Sequence, residues 1–161
     1  MEHNQNMTEE ITFETLPFSE LTEWINESRV QYIEERVAAG DSRSEAEENA
    51  NSSIERRFPG GSPAPGQLIG RLVSSGQVIG FLWIGMTESD PERWWIWDVQ
   101  IDEKFRGQGY GRQAMLLAES LAREEGALTM GLNVFGNNTV ARSLYSSLGY
   151  EETAVQMRKD L

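Results

Sequence analysis

The sequence contains no cysteine. Disulfides, thiolate metal sites and a covalent cysteine intermediate are excluded with it. A single histidine, His3, sits in a polar N-terminal stretch of the kind usually disordered. A Ser-His-Asp triad or a histidine-ligated zinc site has nothing to build on, and no metal is expected. The first ten residues lack the apolar core of a signal peptide. No apolar run approaches the roughly 20 residues of a membrane span. The expected location is the cytoplasm, with no membrane partner. Basic charge is scarce as well: 14 Lys and Arg face 26 Asp and Glu, for a net charge of −12. Such a chain repels nucleic acid, which is not an expected partner. The deficit is uneven, with 5 basic against 14 acidic residues in 1–66 and 9 against 12 in 67–161. An acidic half beside a ligand site attracts a cationic amine, and it is also what solvated helix faces look like.

A chain of 161 residues is long enough for one well-buried domain. Ile11 to Leu16 alternates as a short strand. Leu21, Trp24, Ile25, Ser28, Tyr32, Ile33 and Val37 recur at helical spacing, with Pro17 before and Gly40 after, predicting a helix over 17–39. Asp41 and Ser42 can cap a second helix, and Ser44 with Glu47 has capping-box spacing. The run Pro59–Gly66 breaks the pattern, and strands follow. Gln67–Ser74 and Gln77–Thr87 flank the hairpin turn Ser75-Gly76. After a turn at Ser89-Asp90-Pro91, Arg93–Ile101 reads as a buried strand rich in Trp and Ile. A helix over 109–125, a strand over 128–134, a helix from Asn138 to about Leu148 and a final strand or strand pair over 150–159 complete the order. The fold class is α/β, a mixed and mostly antiparallel central sheet flanked by helices on both faces. The whole of 1–161 reads as one domain, with a helical part in 1–66 and a β-rich part in 67–161.

Between the tryptophan-rich strand and the next helix lies Arg106-Gly107-Gln108-Gly109-Tyr110-Gly111. A glycine-rich turn at a helix start exposes consecutive backbone N–H groups at the positive end of the helix dipole, a natural phosphate site. Two nucleotide motifs fail here. An ATP-binding loop needs a Lys and a Ser or Thr after its last glycine, and these are missing. A dinucleotide fingerprint needs G-x-G-x-x-G, but Arg112 holds the third glycine's place, and too little chain follows for that fold.

Arg106-x-x-Gly109-x-Gly111 resembles the R/Q-x-x-G-x-G/A motif of the GNAT superfamily of acyl-CoA-dependent N-acyltransferases, in the manner of its small bacterial-type members. The resemblance extends back through Val99-Gln100-Ile101-Asp102-Glu103-Lys104-Phe105. It extends forward through Asn133–Asn138, Ala141–Tyr145 and Leu148-Gly149-Tyr150. It covers about Gln67 to Leu161, whereas 1–66 matches in element order only. What it implies is an N-acetyltransferase that uses acetyl-CoA and acts on a small-molecule or peptide amine, with 67–161 as the acetyl-CoA-binding core and 1–66 on the acceptor side. The backbone of Gly107, Gln108, Gly109, Tyr110, Gly111 and Arg112 would hold the CoA pyrophosphate, and Arg106 would contact the cofactor or brace the turn. The strand end Val99, Gln100 and Ile101 would pair with pantetheine, and the Val99 N–H would stabilise the oxyanion. Asn133 and Asn138 would meet the pantetheine arm, Asn138 doubling as a helix cap. Tyr145 would protonate the departing thiolate, since a phenol near pKa ~10 lies above a thiol near ~8.5. Tyr145 also falls on an apolar stripe with Ala141, Leu144 and Leu148, where a core residue would sit. A homodimer is common in the superfamily and nothing in the sequence requires it.

The resemblance departs at the general base. Trp95 and Trp97 stand where several members carry Glu or His. Asp98 is the nearest carboxylate, but strict alternation points it away from Trp97 unless a bulge re-aims it. Glu34 and Glu35 can act through water. The alternatives stay open: Asp98 as base or as structural acceptor, the tryptophans as acceptor pocket or sheet packing, and the whole as enzyme, as user of a longer acyl-CoA or as non-catalytic acyl-CoA-binding module.

Overall fold

The computed structural model describes residues 9–161; His3 lies outside them. The elements run β1 (Thr12–Thr15), α1 (Phe18–Ala38), α2 (Arg43–Arg57), β2 (Gln67–Ser74), β3 (Gln77–Thr87), β4 (Asp90–Ile101), α3 (Tyr110–Glu124), β5 (Thr129–Leu132) and α4 (Thr139–Ser147). One five-stranded sheet forms in the order β1-β2-β3-β4-β5. All pairs are antiparallel except β4 with β5, because α3 carries the chain back over the sheet between them. Local chemistry sets the joints. Ser75 and Gly76 both take positive φ, as a tight two-residue hairpin turn requires.

Ser42 caps α2 by accepting from the Glu45 N–H at 3.2 Å. The Ser44/Glu47 capping box is therefore not used: the helix begins two residues earlier, where Ser42 is free of helical geometry. The turn expected at Ser89-Asp90-Pro91 also moves back, because Asp90 already pairs with Thr87.

Two apolar layers cover the sheet. On one face Trp94, Ile96, Leu82 and Ile84 pack against Ala114, Met115 and Ala118 of α3, with Leu144 and Tyr145 of α4 at the margin. On the other, Trp24 of α1, Phe58 and Trp83 form an edge-on aromatic cluster that Trp97 joins. Ile33 of α1 packs separately on Ala46 and Ala50 of α2. At roughly 25 cal/mol per Å² of apolar surface, these layers supply the main drive to fold.

The strand expected over 150–159 does not form. Residues 150–161 have no regular structure and leave Val155 and Met157 largely exposed. Glu151, Glu152, Gln156, Arg158 and Lys159 give the segment too little apolar face to repay ordering it as a strand. It is tied instead by an Arg142–Glu152 ion pair and by Arg158, which donates to the Gly40 carbonyl at 2.8 Å.

Candidate active site

The site begins at a register fault. Along β3 and β4, Trp83 faces Asp98 and the next residue, Ile84, faces Ile96. Trp97 is therefore an extra residue, a β-bulge. Strict alternation would send Asp98 to the same face as Trp94 and Ile96. The bulge turns Trp97 and Asp98 together toward α1, while Val99 and Ile101 return to the α3 layer. Asp98 then meets Ser28 and Glu35, which lie about two turns apart on one face of α1. Burial and the Glu35 charge push the Asp98 carboxyl up to about 6; the Val99 N–H and the Ser28 hydroxyl, both donating to it, hold it from rising further.

Tyr145 of α4 comes into electrostatic range of the same carboxylate. Burial first, then Asp98, raise its pKa, so the phenol keeps its proton at neutral pH. The ring packs against Tyr150 and the α3 layer. Among the described residues no partner hydrogen-bonds its hydroxyl, which remains available to a ligand.

The bulge also coincides with a parting of strands. β4 pairs with β5 only from Arg93 to Ile96, and β5 ends at Leu132. Trp97 to Ile101 consequently have β3 on one side and no strand on the other. At the parting, Gly131 lies beneath the Trp95 ring, where a Cβ would collide. Asn133 follows at once and lines the cleft. Asn138 accepts from the Ala141 N–H at 3.2 Å as the α4 cap, leaving its amide N–H₂ unused by the cap.

At the far end of β4 the glycine turn takes the form of an anion cradle. Arg106 donates from Nε to the Ile101 carbonyl at 2.9 Å and so braces the turn. Gly109 sits at φ 86° in the left-handed region immediately before α3, a position costly for any residue with a Cβ. No side chain caps α3, and its first turn holds no acid, so the first-turn N–H groups face outward at the positive helix end. Gly107 also takes a positive φ of 72°, and a Cβ there would meet nothing within 4 Å. Gln108 donates to the Lys104 carbonyl and Arg112 to the Ser147 hydroxyl, tying the cradle to its own turn and to α4. Tyr110 is different: its side chain is buried near Ser74, so only its backbone faces the cradle. Gln100, Val99 and Ile101 likewise reach the gap by backbone, their side chains being partly buried in the sheet.

A cleft of about 1000 Å³ opens between α1, α2, β4 and the 133–137 loop. That is the upper end of small-molecule sites, enough for an acceptor beside an acyl arm. The acidic surplus of residues 1–66 does not collect there. Glu20 pairs with Arg71 and Glu34 with Arg43 on exposed faces, and the cleft wall carries more arginine than carboxylate. Ser28 and Arg57 were not evident as site residues in the sequence. Ser28 alone left a trace, as a polar residue in the buried stripe of α1. Among the described residues no group of three or more His, Cys, Asp or Glu is placed to hold a metal, and no helix is long and apolar enough to cross a membrane.

Known proteins match this arrangement. The Acetyltransferase (GNAT) family matches residues 18–150. The uncharacterised N-acetyltransferase YycN of Bacillus subtilis is 30% identical over 145 residues, covering 88% of this chain and 93% of the relative. A second Bacillus subtilis N-acetyltransferase, YdgE, is 28% identical over 153 residues, covering 93% and 98%. The crystal structure of YycN superposes with a TM-score of 0.82 over 94% of this chain and 98% of that one. The aminoglycoside N-acetyltransferase AAC(6')-Iy, solved in complex with CoA, shares the fold at 14% identity and a TM-score of 0.57 over 95% of each chain. Parted strands, an uncapped glycine turn and a matching family over both halves lead to one conclusion: the chain belongs to the GNAT family and is an N-acetyltransferase.

Proposed function

We propose that this enzyme moves the acetyl group of acetyl-CoA onto a primary amine by direct attack, with Asp98 as general base and Tyr145 as general acid. The observation that carries the reading is the Trp97 bulge, which brings Asp98 into electrostatic range of Tyr145 where β4 and β5 part. The N–H groups from Gly107 to Arg112 take the pyrophosphate, and Arg106 holds the turn in shape. The gap between Trp97–Ile101 and the Asn133–Asn138 loop takes the pantetheine arm by backbone pairing, with the two asparagine amides at its side.

Asp98 removes a proton from the acceptor ammonium, freeing the lone pair that forms the C–N bond. As it does so its hold on the Val99 N–H weakens, and that donor turns to the developing oxyanion. The C–S bond then breaks, and Tyr145 gives its proton to the departing sulfur. As the amide forms the nitrogen sheds its second proton, which restores the Tyr145 phenol through water, and Asp98 releases its own. The products are an N-acetylated amine, CoA thiol and one proton. Residues 67–161 act as the acetyl-CoA part and 1–66 as the acceptor side, both within one domain.

The test is thiol release from acetyl-CoA with a panel of amines, with wild type, Asp98→Asn and Tyr145→Phe compared. Acceptor-dependent thiol release that both substitutions depress supports the assignment. Full activity in either variant removes that residue from its role.

A further inference from the structure

The acceptor cleft carries charge of both signs. Glu35 lines the cleft and Asp98 lies within its electrostatic range, a mutual repulsion that a bound ammonium relieves. Arg56 and Arg57 line it as well, with Glu88 at 3.6 and 3.4 Å. Glu88 is half exposed, so it neutralises them weakly. Arg29 on the same wall is held by a neutral amide, Asn51, at 2.7 Å. Arg56 and Arg57 thus share one carboxylate, and Arg29 has only a neutral partner among the described residues.

Arg57 is the unusual member. It is only 6% exposed and lies 3.5 Å over the Trp97 ring. Its Nη1 donates to the Ser53 hydroxyl at 2.6 Å, but its Nε finds no acceptor, and neither does the adjacent Trp97 Nε1. A buried donor left unpaired is costly, and burying the guanidinium adds to that. Burial depresses the Arg57 pKa, and Glu88, opposed by the Arg56 charge, offsets this only in part. A Leu or Met packed on Trp97 would stabilise the fold at lower cost, so packing alone does not explain an arginine here. What the under-neutralised pair lacks is an anionic acceptor group; the Arg57 Nε and Trp97 Nε1 are shielded from solvent and are reached only if the side chains shift.

We propose that the amine acceptor is an amino acid type of molecule, carrying a carboxylate that Arg57 binds while its amine meets Asp98. The inference rests on the acetyl-transfer reading above and names the substrate class for the same site. A planar carboxylate fits the guanidinium fork in a way an ammonium point charge does not. The same wall repels polyamines and other polycations, which the overall acidity of the chain would otherwise invite. Arg57 acts here as a specificity residue that touches substrate, with no part in proton transfer.

The test compares acids with amines matched in length. Glycine, β-alanine, 4-aminobutyrate, 5-aminopentanoate, leucine and lysine are assayed with acetyl-CoA beside methylamine, ethylamine, propylamine, butylamine, 3-methylbutylamine and 1,5-diaminopentane. O-phosphoethanolamine tests phosphate in place of carboxylate. The expected result is that at least one acid exceeds its matched amine in kcat/KM by about 10²-fold, the scale of a buried charge pair losing one partner. Arg57→Met should abolish that preference with the KM for acetyl-CoA unchanged, and Arg57→Lys should retain part of it. Equal use of acids and amines, or an acid preference that survives in Arg57→Met, overturns the proposal. Preference for the phosphate compound over every acid overturns the carboxylate assignment.

Calorimetry with the N-acetylated acids and N-acetylated amines in the presence of CoA separates this inference from the reading beneath it. Acid-selective binding to wild type but not to Arg57→Met, without turnover, keeps the carboxylate site and removes the transfer reaction. Turnover of amines without acid selectivity does the reverse. Melting curves of both variants confirm that they are folded before any comparison is drawn.

Discussion

Replacing Asp98 by Asn makes two measurements move in opposite directions. The Asp98 carboxyl titrates at about 6 in the folded protein against 3.8 as an ordinary aspartate. A raised carboxyl pKa means the folded state holds its proton more tightly than the unfolded chain. Its charge therefore costs nothing below pH 3.8. The cost grows as pH rises through the window to about 6, and it is complete above that. Two pKa units correspond to about 3 kcal/mol. Asn keeps an acceptor for Ser28 and Val99 while removing the charge opposed by Glu35, so part of this is recovered. Asp98→Asn should be more stable than wild type by about 1–3 kcal/mol at pH 8, with the difference vanishing near pH 4. The same substitution should lower kcat by about 10²–10⁴-fold and remove the acidic limb that wild-type kcat shows below about pH 6. Urea melts at pH 4, 6 and 8, paired with a pH–rate profile, check both. An Asp98→Asn protein that is less stable at pH 8, or that keeps kcat and its acidic limb, refutes the assignment of a strained base.

Tyr145→Phe should lower kcat by about 10²-fold, leaving acetyl-CoA affinity and melting temperature nearly unchanged, because the hydroxyl makes no hydrogen bond within the described residues. A large loss of stability would show that the residue serves mainly in packing. Gly109→Ala forces a Cβ into φ 86° and should cost about 1–2 kcal/mol in urea melts. It should also weaken acetyl-CoA binding by calorimetry, since the cradle N–H groups move with it. Ser42→Ala removes the α2 cap and should cost about 1 kcal/mol with catalysis unaffected.

The glycine turn was legible because its chemistry is local. A strand end, three alternating glycines and a helix start are adjacent in sequence, and the backbone they build follows from residue type. Asn138 as a helix cap was legible for the same reason. The direction of Asp98 was legible only conditionally, because it depends on a fault in periodicity. The run Trp94-Trp95-Ile96-Trp97-Asp98 alternates apolar side chains on both faces, and nothing in it says which residue drops out of register with β3. Arg57 was invisible for another reason. It looks like the basic end of a polar helix, and only the fold lays it over Trp97. Net charge left the cation-attracting and solvated-face readings of 1–66 open for a related reason: it counts residues, whereas a cleft samples only those that face it. The last strand failed because Val155 and Met157 alternate correctly but are too few apolar residues, among Glu151, Glu152, Gln156, Arg158 and Lys159, to repay ordering the segment.

The central claim is acetyl transfer within a complex of protein, acetyl-CoA and amine. Its most direct measurement follows CoA thiol and N-acetylated product together, with and without an amine acceptor. The expected result is stoichiometric thiol and acetylated amine, formed only when both substrates are present and suppressed in Asp98→Asn. Tight acetyl-CoA binding with no acceptor-dependent thiol release, across acids and amines alike, would contradict it.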